Sequence, residues 1–118
     1  MKPKSLKENE MVVVFRKEYN EYTERDQYIA VFPDEHDVPS RPYDMMCVAF
    51  YPAGDSTIFE CHGDMCPEYY YQNTKRISKE ESEWCREQLQ RYYNSTDYKS
   101  EDHVELVVRQ KMYFGRGC

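Results

Sequence analysis

Glycine is scarce in this chain of 118 residues, which holds only four. Loops that cradle phosphate groups need several closely spaced glycines, so the sequence has little material for one. Basic residues are also in the minority, with 16 Lys and Arg against 22 Asp and Glu and a net charge of −6. Proteins that grip nucleic-acid phosphates usually carry a basic face, which this balance disfavours. It leaves room for a local basic patch, or for an acidic surface that meets a basic partner.

Long apolar runs are absent as well. The longest run near the start, Met11–Phe15, is far too short for a secretion signal or a membrane span. We therefore expect a cytoplasmic protein with no membrane partner, whose five cysteines are free thiols. The length favours one domain over residues 1–118, and the 40% apolar content is enough for a modest core. Residues 1–10 are expected to form a flexible N-terminal segment, and residues 115–118 a short tail.

Five segments have the composition of β-strands. They are rich in β-branched and aromatic residues, and turn-forming residues separate them. Pro33 ends the second segment, and Pro52–Asp55 predicts a tight turn between the third and the fourth. The predicted strands are Met11–Lys17, Gln27–Phe32, Asp44–Tyr51, Ser56–His62 and His103–Phe114.

One helix has a clear beginning. Ser78 and Glu81 form a capping box, in which the Ser78 hydroxyl accepts from the Glu81 amide and the Glu81 carboxylate accepts from the Ser78 amide. Asn94 is a suitable end. The order β-β-β-β-α-β predicts a two-layer α+β fold, an antiparallel sheet of about five strands covered on one face by one helix. The face of the helix predicted to contact the sheet carries Trp84, Cys85, Gln88, Leu89 and Tyr92.

The connection before this helix is the most unusual segment. The sixteen residues from Gly63 to Ser78 are long for a connection in a compact domain, and long loops are often functional. Three consecutive tyrosines cannot all be buried on one side, and exposed Tyr is a frequent hot-spot residue in protein interfaces. Packing of two of them against the sheet edge is an equally open interpretation. The surface predicted to bind a partner consists of His62, Asp64, Tyr69, Tyr70 and Tyr71.

The same segment suggests structural zinc as an alternative, because zinc prefers tetrahedral sets of Cys and His. Against it, paired Cys-x-x-Cys knuckles are absent, and neighbours such as Cys61 and His62 point to opposite faces of a strand. Cysteine catalysis would use His62 as the base for Cys66 with Asp64 as orienter, but no known signature surrounds them. The zinc alternative would use Cys47, Cys61, His62 and Cys66, and no other cofactor is expected.

The last predicted strand suggests nucleic-acid binding as a second alternative. The segment Lys111–Gly117 places aromatic residues beside Arg and Gly, and Tyr113 and Arg116 could stack on a base. The segment lacks the RNP pattern, and the acidic balance favours a plain edge strand. An edge strand, either Met11–Lys17 or the last one, could also pair between two chains to form a dimer.

Several short motifs occur in an order that resembles a group of small bacteriophage and mobile-element proteins of bacteria, which have no assigned chemistry. The motifs are Phe15-Arg16-Lys17, Ile29–Pro33, His62-Gly63 and Thr74–Glu81. The resemblance spans most of the chain, although the extra cysteines and the loop Pro33–Pro42 depart from it. It implies a phage-type accessory protein in a bacterial cytoplasm and supplies no catalytic residues. By analogy we expect a non-enzymatic protein that binds a host macromolecule, most readily a host protein, as an anti-defence inhibitor does.

Overall fold

The computed structural model describes residues 10–35, 44–60, 63–94 and 105–109, which contain six strands and two helices. The predicted α+β class is confirmed. The predicted N-terminal segment, apart from Glu10, and the predicted tail lie outside the described residues. In chain order the elements are β1 (Glu10–Asn20), β2 (Arg25–Phe32), β3 (Met45–Ala53), β4 (Ser56–Phe59), β5 (Gly63–Met65), α1 (Pro67–Asn73), α2 (Lys79–Tyr93) and β6 (Glu105–Arg109).

All six strands belong to one sheet, in the spatial order β4-β3-β2-β1-β6, with β5 also pairing with β3. Strands that follow each other from β1 to β4 pair antiparallel, but β6 pairs with β1 in parallel. The sheet is therefore mixed and not wholly antiparallel as predicted, because the chain reaches β6 through α2 and not through a tight turn. Since β1 lies between β2 and β6, the segment Met11–Lys17 is not the free edge that the dimer prediction assumed.

The middle of the sheet is buried on both faces. Every residue of Val12–Phe15 and of Ile29–Phe32 is at most 4% exposed. Continuous runs of β-branched and aromatic residues are typical of strands covered on both sides. On one face, which we call the helix face, these strands pack against Cys85 and Leu89 of α2. On the opposite face they pack against Tyr70 of α1.

The helix α2 begins as the capping box predicts. The Glu81 amide donates to Ser78 Oγ at 3.0 Å, and the Ser78 amide donates to Glu81 Oε1 at 3.1 Å. The last helical residue is Tyr93 and Asn94 is the C-cap, as predicted. The predicted contact face is confirmed at its centre but is wider than predicted. The fully buried residues of α2 are Ser82, Cys85, Leu89 and Tyr93, and Trp84, Gln88 and Tyr92 are half-buried.

The second carboxylate oxygen of Glu81 ties α2 to the sheet. It lies 2.6 Å from the Lys17 ammonium and accepts a hydrogen bond from the Tyr28 hydroxyl at 3.0 Å. Hydrogen bonding from Lys17, and then from the Ser78 amide, lowers the pKa of Glu81 to about 2. Burial, followed by the hydrogen bond to Glu81, raises the pKa of Tyr28 to about 12. The ionised carboxylate therefore fixes the start of α2 against both β1 and β2.

Replacing Glu81 with Gln is expected to lower the free energy of unfolding by about 1–2 kcal/mol near neutral pH, since a charge-assisted network is lost at a partly exposed site. The folded pKa of about 2 lies below the ordinary 4.5, so this stabilisation is complete above pH 4.5 and disappears as pH falls towards 2. Urea titrations of the unmodified protein and of Glu81→Gln across this pH range measure the difference in the free energy of unfolding. The exposed Glu83→Gln serves as the control, and a difference that stays constant with pH would refute the assignment.

Candidate functional site

The structure separates the three consecutive tyrosines by burial. Tyr70 is 2% exposed and packs against the sheet, whereas Tyr69 is 39% and Tyr71 is 60% exposed. Asp64 is half-buried on β5, and His62 lies outside the described residues. The structure therefore leaves Tyr69, Tyr71 and Asp64 as surface candidates, and it places Tyr70 in the core.

The predicted loop contains a short helix because the sheet provides a partner for its C-terminal end. Arg16, on β1, is only 9% exposed. Its Nε donates to Thr74 Oγ1 at 2.9 Å, and its Nη2 donates to the Thr74 carbonyl oxygen at 2.9 Å. The guanidinium carbon also lies 4.4 Å from the centre of the Tyr70 ring. The positive charge of Arg16 is stabilised by the negative C-terminal end of the α1 dipole and by the face of the Tyr70 ring.

A groove lies between the end of the β1–β2 hairpin and α1, with a volume of about 500 Å³. We call it the tyrosine groove. Asn20 shapes its hairpin wall, because its side-chain oxygen accepts from the amides of Tyr22 and Thr23 at 2.9 and 3.2 Å. Tyr22 is 99% and Tyr19 is 54% exposed. The groove is lined by Glu18, Tyr19, Asn20, Glu21 and Tyr22 of the hairpin and by Tyr69, Gln72 and Asn73 of α1.

A second concavity of about 430 Å³ adjoins the tyrosine groove, and we call it the acidic cavity. Three of its residues are carboxylic acids, Glu18, Asp44 and Asp64. The Oδ1 atom of Asp64 is buried and has no hydrogen-bond partner in the described part of the chain. A donor from another molecule could pair with this buried acceptor. The cavity is lined by Glu18, Gln27, Ile29, Asp44, Cys47, Ala49, Asp64, Met65, Cys66 and Tyr69.

Glu18 and Tyr69 form the wall between the two concavities, because both residues line each of them. Burial raises the pKa of Tyr69 to about 12, and hydrogen bonding to Glu18 adds to the shift. The Tyr69 hydroxyl donates to the Glu18 carboxylate, which joins α1 to the hairpin. The Tyr69 ring stays partly exposed beside both concavities.

Two of the four residues of the zinc alternative lie beside the same cavity. Cys47 and Cys66 line the same cavity, but Cys61 and His62 lie outside the described residues. Within residues 10–35, 44–60, 63–94 and 105–109, no three His, Cys, Asp or Glu side chains are placed to hold a metal ion. Cys66 and Cys85 are free thiols, and burial raises the pKa of Cys85, so its thiol stays protonated.

Sequence reasoning missed the hairpin half of the site. None of the motifs singled out in the sequence includes the segment Glu18–Asp26. Its signal is the alternation of carboxylates with Tyr19 and Tyr22, since a tyrosine in a polar turn has no core to enter.

Comparison of the chain with protein-family models, with curated proteins and with solved structures finds no match. None of the helices within the described residues is long and apolar enough to cross a membrane.

Proposed function

We propose that this chain is a non-enzymatic binding protein that holds a positively charged segment of a partner protein in the tyrosine groove and the acidic cavity. One observation carries the proposal. The two adjoining concavities are lined by four carboxylic acids, Glu18, Glu21, Asp44 and Asp64, and the described residues that line them include no Lys or Arg. Lysine and arginine side chains of a partner complement such a surface, and attraction of opposite charges speeds their encounter.

The tyrosines supply the second half of the recognition. Tyr19, Tyr22 and Tyr69 present aromatic rings beside these carboxylates. An aromatic face attracts a cation, and Tyr offers large contact area with only two side-chain torsions to fix. Carboxylates and aromatic rings together favour an arginine- or lysine-bearing protein surface over an acidic or purely apolar one.

The wider setting rests on the resemblance to phage and mobile-element proteins. A protein of that kind acts in the bacterial cytoplasm and binds a host protein, and inhibition of a host defence is the function we propose. Nucleic-acid binding is less favoured at this surface because carboxylates repel phosphates. The segment Lys111–Gly117, on which that alternative depends, lies outside the described residues.

Capture followed by affinity measurement tests the proposal. The immobilised protein is incubated with bacterial lysate, with and without nuclease, and mass spectrometry identifies what is retained. The affinity of the purified captured protein is then measured for a tyrosine variant, Tyr19→Ala with Tyr22→Ala, and for a charge variant, Glu18→Gln with Glu21→Gln. We expect each to weaken binding by about tenfold or more, as interface hot spots do.

The matched control is Glu83→Gln with Glu87→Gln, which removes the same charge from exposed positions of α2. This variant is expected to bind within about twofold of the unmodified protein, because exposed charges far from an interface contribute little. If both groove variants bind as the control does, the groove is not the binding surface. If capture disappears with nuclease, the nucleic-acid alternative replaces the proposal.

A further inference from the structure

The strand β4 forms one edge of the sheet and has backbone groups there without a hydrogen-bond partner in the described part of the chain. In the spatial order of the strands it is terminal and pairs with β3. The Glu60 amide donates to the Ala49 carbonyl oxygen at 2.8 Å. Along β4, therefore, every second residue points its backbone groups towards β3, and the residues between them point theirs away. The amides and carbonyls of Thr57 and Phe59 consequently point away from β3. In the described part of the chain, no backbone group pairs with these four.

Two of the usual defences against edge pairing, Lys and Pro, are missing from this strand of four residues. Exposed edges are commonly protected by Lys, Pro or a bulge, but β4 has the sequence Ser-Thr-Ile-Phe. At its centre Ile58 is 41% exposed. The strand is also held rigidly, because Thr57 Oγ1 donates to Gln88 Oε1 at 2.9 Å and the Phe59 ring stacks on Tyr92 at 4.3 Å between centres. Pairing would therefore cost little ordering.

We propose that the edge of β4 pairs antiparallel with β4 of a second copy of this chain, across a two-fold axis at Ile58. In this register Thr57 lies opposite Phe59 of the second copy, and Phe59 lies opposite its Thr57. All four open groups on each chain are then used, in four hydrogen bonds. Ile58 meets Ile58 of the second copy at the axis, so the exposed apolar residue gains an apolar partner.

The cavity beside β4 is consistent with a copy of the same chain. It has a volume of about 530 Å³ and is lined by residues of β4 and of the C-terminal half of α2. Its lining includes one carboxylate, Asp55, and one guanidinium, Arg91, which has no carboxylate partner in the described residues. A two-fold axis brings two such surfaces together, so opposite charges can face each other. The edge shares no lining residue with the tyrosine groove or the acidic cavity.

Sedimentation equilibrium of the full chain, from about 10 µM to about 1 mM, measures this association, which should be weak because the contact is short. We expect a reversible monomer–dimer equilibrium. Ile58→Lys places two like charges opposite each other and should weaken the dimer by at least about tenfold. Thr23→Lys adds the same charge at an exposed hairpin residue outside the groove lining, and it should leave the equilibrium unchanged. A monomer at every concentration, or a dimer unaffected by Ile58→Lys, overturns the proposal.

Cross-linking tests the register independently of any effect of lysine on folding. The two Ile58 residues form a non-hydrogen-bonded pair in this register, so their Cα atoms lie about 4.5 Å apart, a distance that a disulfide can bridge. Ile58→Cys should therefore give a covalent dimer on mild oxidation, above the background of the unmodified protein. Ser56→Cys, which lies four positions from its own counterpart in this register, should give no more than that background. Equal cross-linking of both variants, or none for Ile58→Cys, overturns the register and with it the proposal.

Discussion

Replacing Arg16 with Met is expected to lower the free energy of unfolding by about 3 kcal/mol. The side chain is buried, and it donates two hydrogen bonds to Thr74 while it covers the Tyr70 ring. Met can occupy much of the same volume, but it cannot donate to the Thr74 carbonyl and hydroxyl. Those buried acceptors then lose a partner, and an unpaired buried polar group is costly.

The stability lost in Arg16→Met should be concentrated in α1. Hydrogen exchange measures it residue by residue, and the amide of Tyr70, which donates to the Cys66 carbonyl at 3.1 Å, is a direct reporter. We expect this amide to lose more protection than the amide of Leu89 in the middle of α2. Because α1 carries Tyr69, the same variant should also weaken binding of the partner captured through the tyrosine groove.

Arg25 provides a matched control for this substitution. Its guanidinium carbon lies 4.4 Å from the centre of the Tyr51 ring, the same distance as between Arg16 and Tyr70. Arg25 is exposed, however, and an exposed contact of this kind contributes about 0.5–1 kcal/mol. Arg25→Met should thus cost less than about 1 kcal/mol. Equal losses for the two substitutions would show that the buried hydrogen bonds of Arg16 contribute nothing.

The same contacts explain why the sequence predicted α2 and missed α1. The start of α2 depends on Ser78 and Glu81, three residues apart, so a local pattern is sufficient. The seven residues of α1 are too few for a periodic pattern and too few for stability in isolation. The local signal available was Pro67 at the first turn. Arg16, 58 residues before Thr74, supplies the remaining stabilisation, and no local pattern encodes that contact.

The candidate site was half predicted for a similar reason. Tyr69 and Asp64 stood out because they lie in an unusually long connection. Glu18 and Tyr22 lie in an ordinary hairpin turn, and their importance follows from its position beside α1. That position follows in turn from the pairing of Lys17 with Lys75, whose backbone groups exchange hydrogen bonds of 3.0 and 2.9 Å. A pairing over such a sequence separation is decided by tertiary packing, which single-residue propensities do not contain.

Replacing Phe50 with Ala is expected to have the largest effect on stability, a loss of about 3–5 kcal/mol in the free energy of unfolding. Phe50 is 0% exposed on the helix face. Its ring lies among four others, which belong to β1, β2, β4 and α2. The cavity left by Ala would therefore remove contacts with all four elements. The distances between ring centres are 6.1 Å to Phe15, 5.9 Å to Tyr28, 5.2 Å to Phe59 and 6.4 Å to Trp84.

The chain contains a single tryptophan, so its fluorescence reports on this core without added probes. Urea unfolding followed through Trp84 should show the midpoint of Phe50→Ala at a much lower urea concentration than that of the unmodified protein. Phe59→Ala removes a ring of the same size from the half-buried edge strand β4, and it should cost about half as much because the site can relax into solvent. If Phe59→Ala is as destabilising as Phe50→Ala, the edge strand and not the centre of the sheet organises the aromatic core. The open edge proposed for pairing would then also be the least tolerant part of the fold.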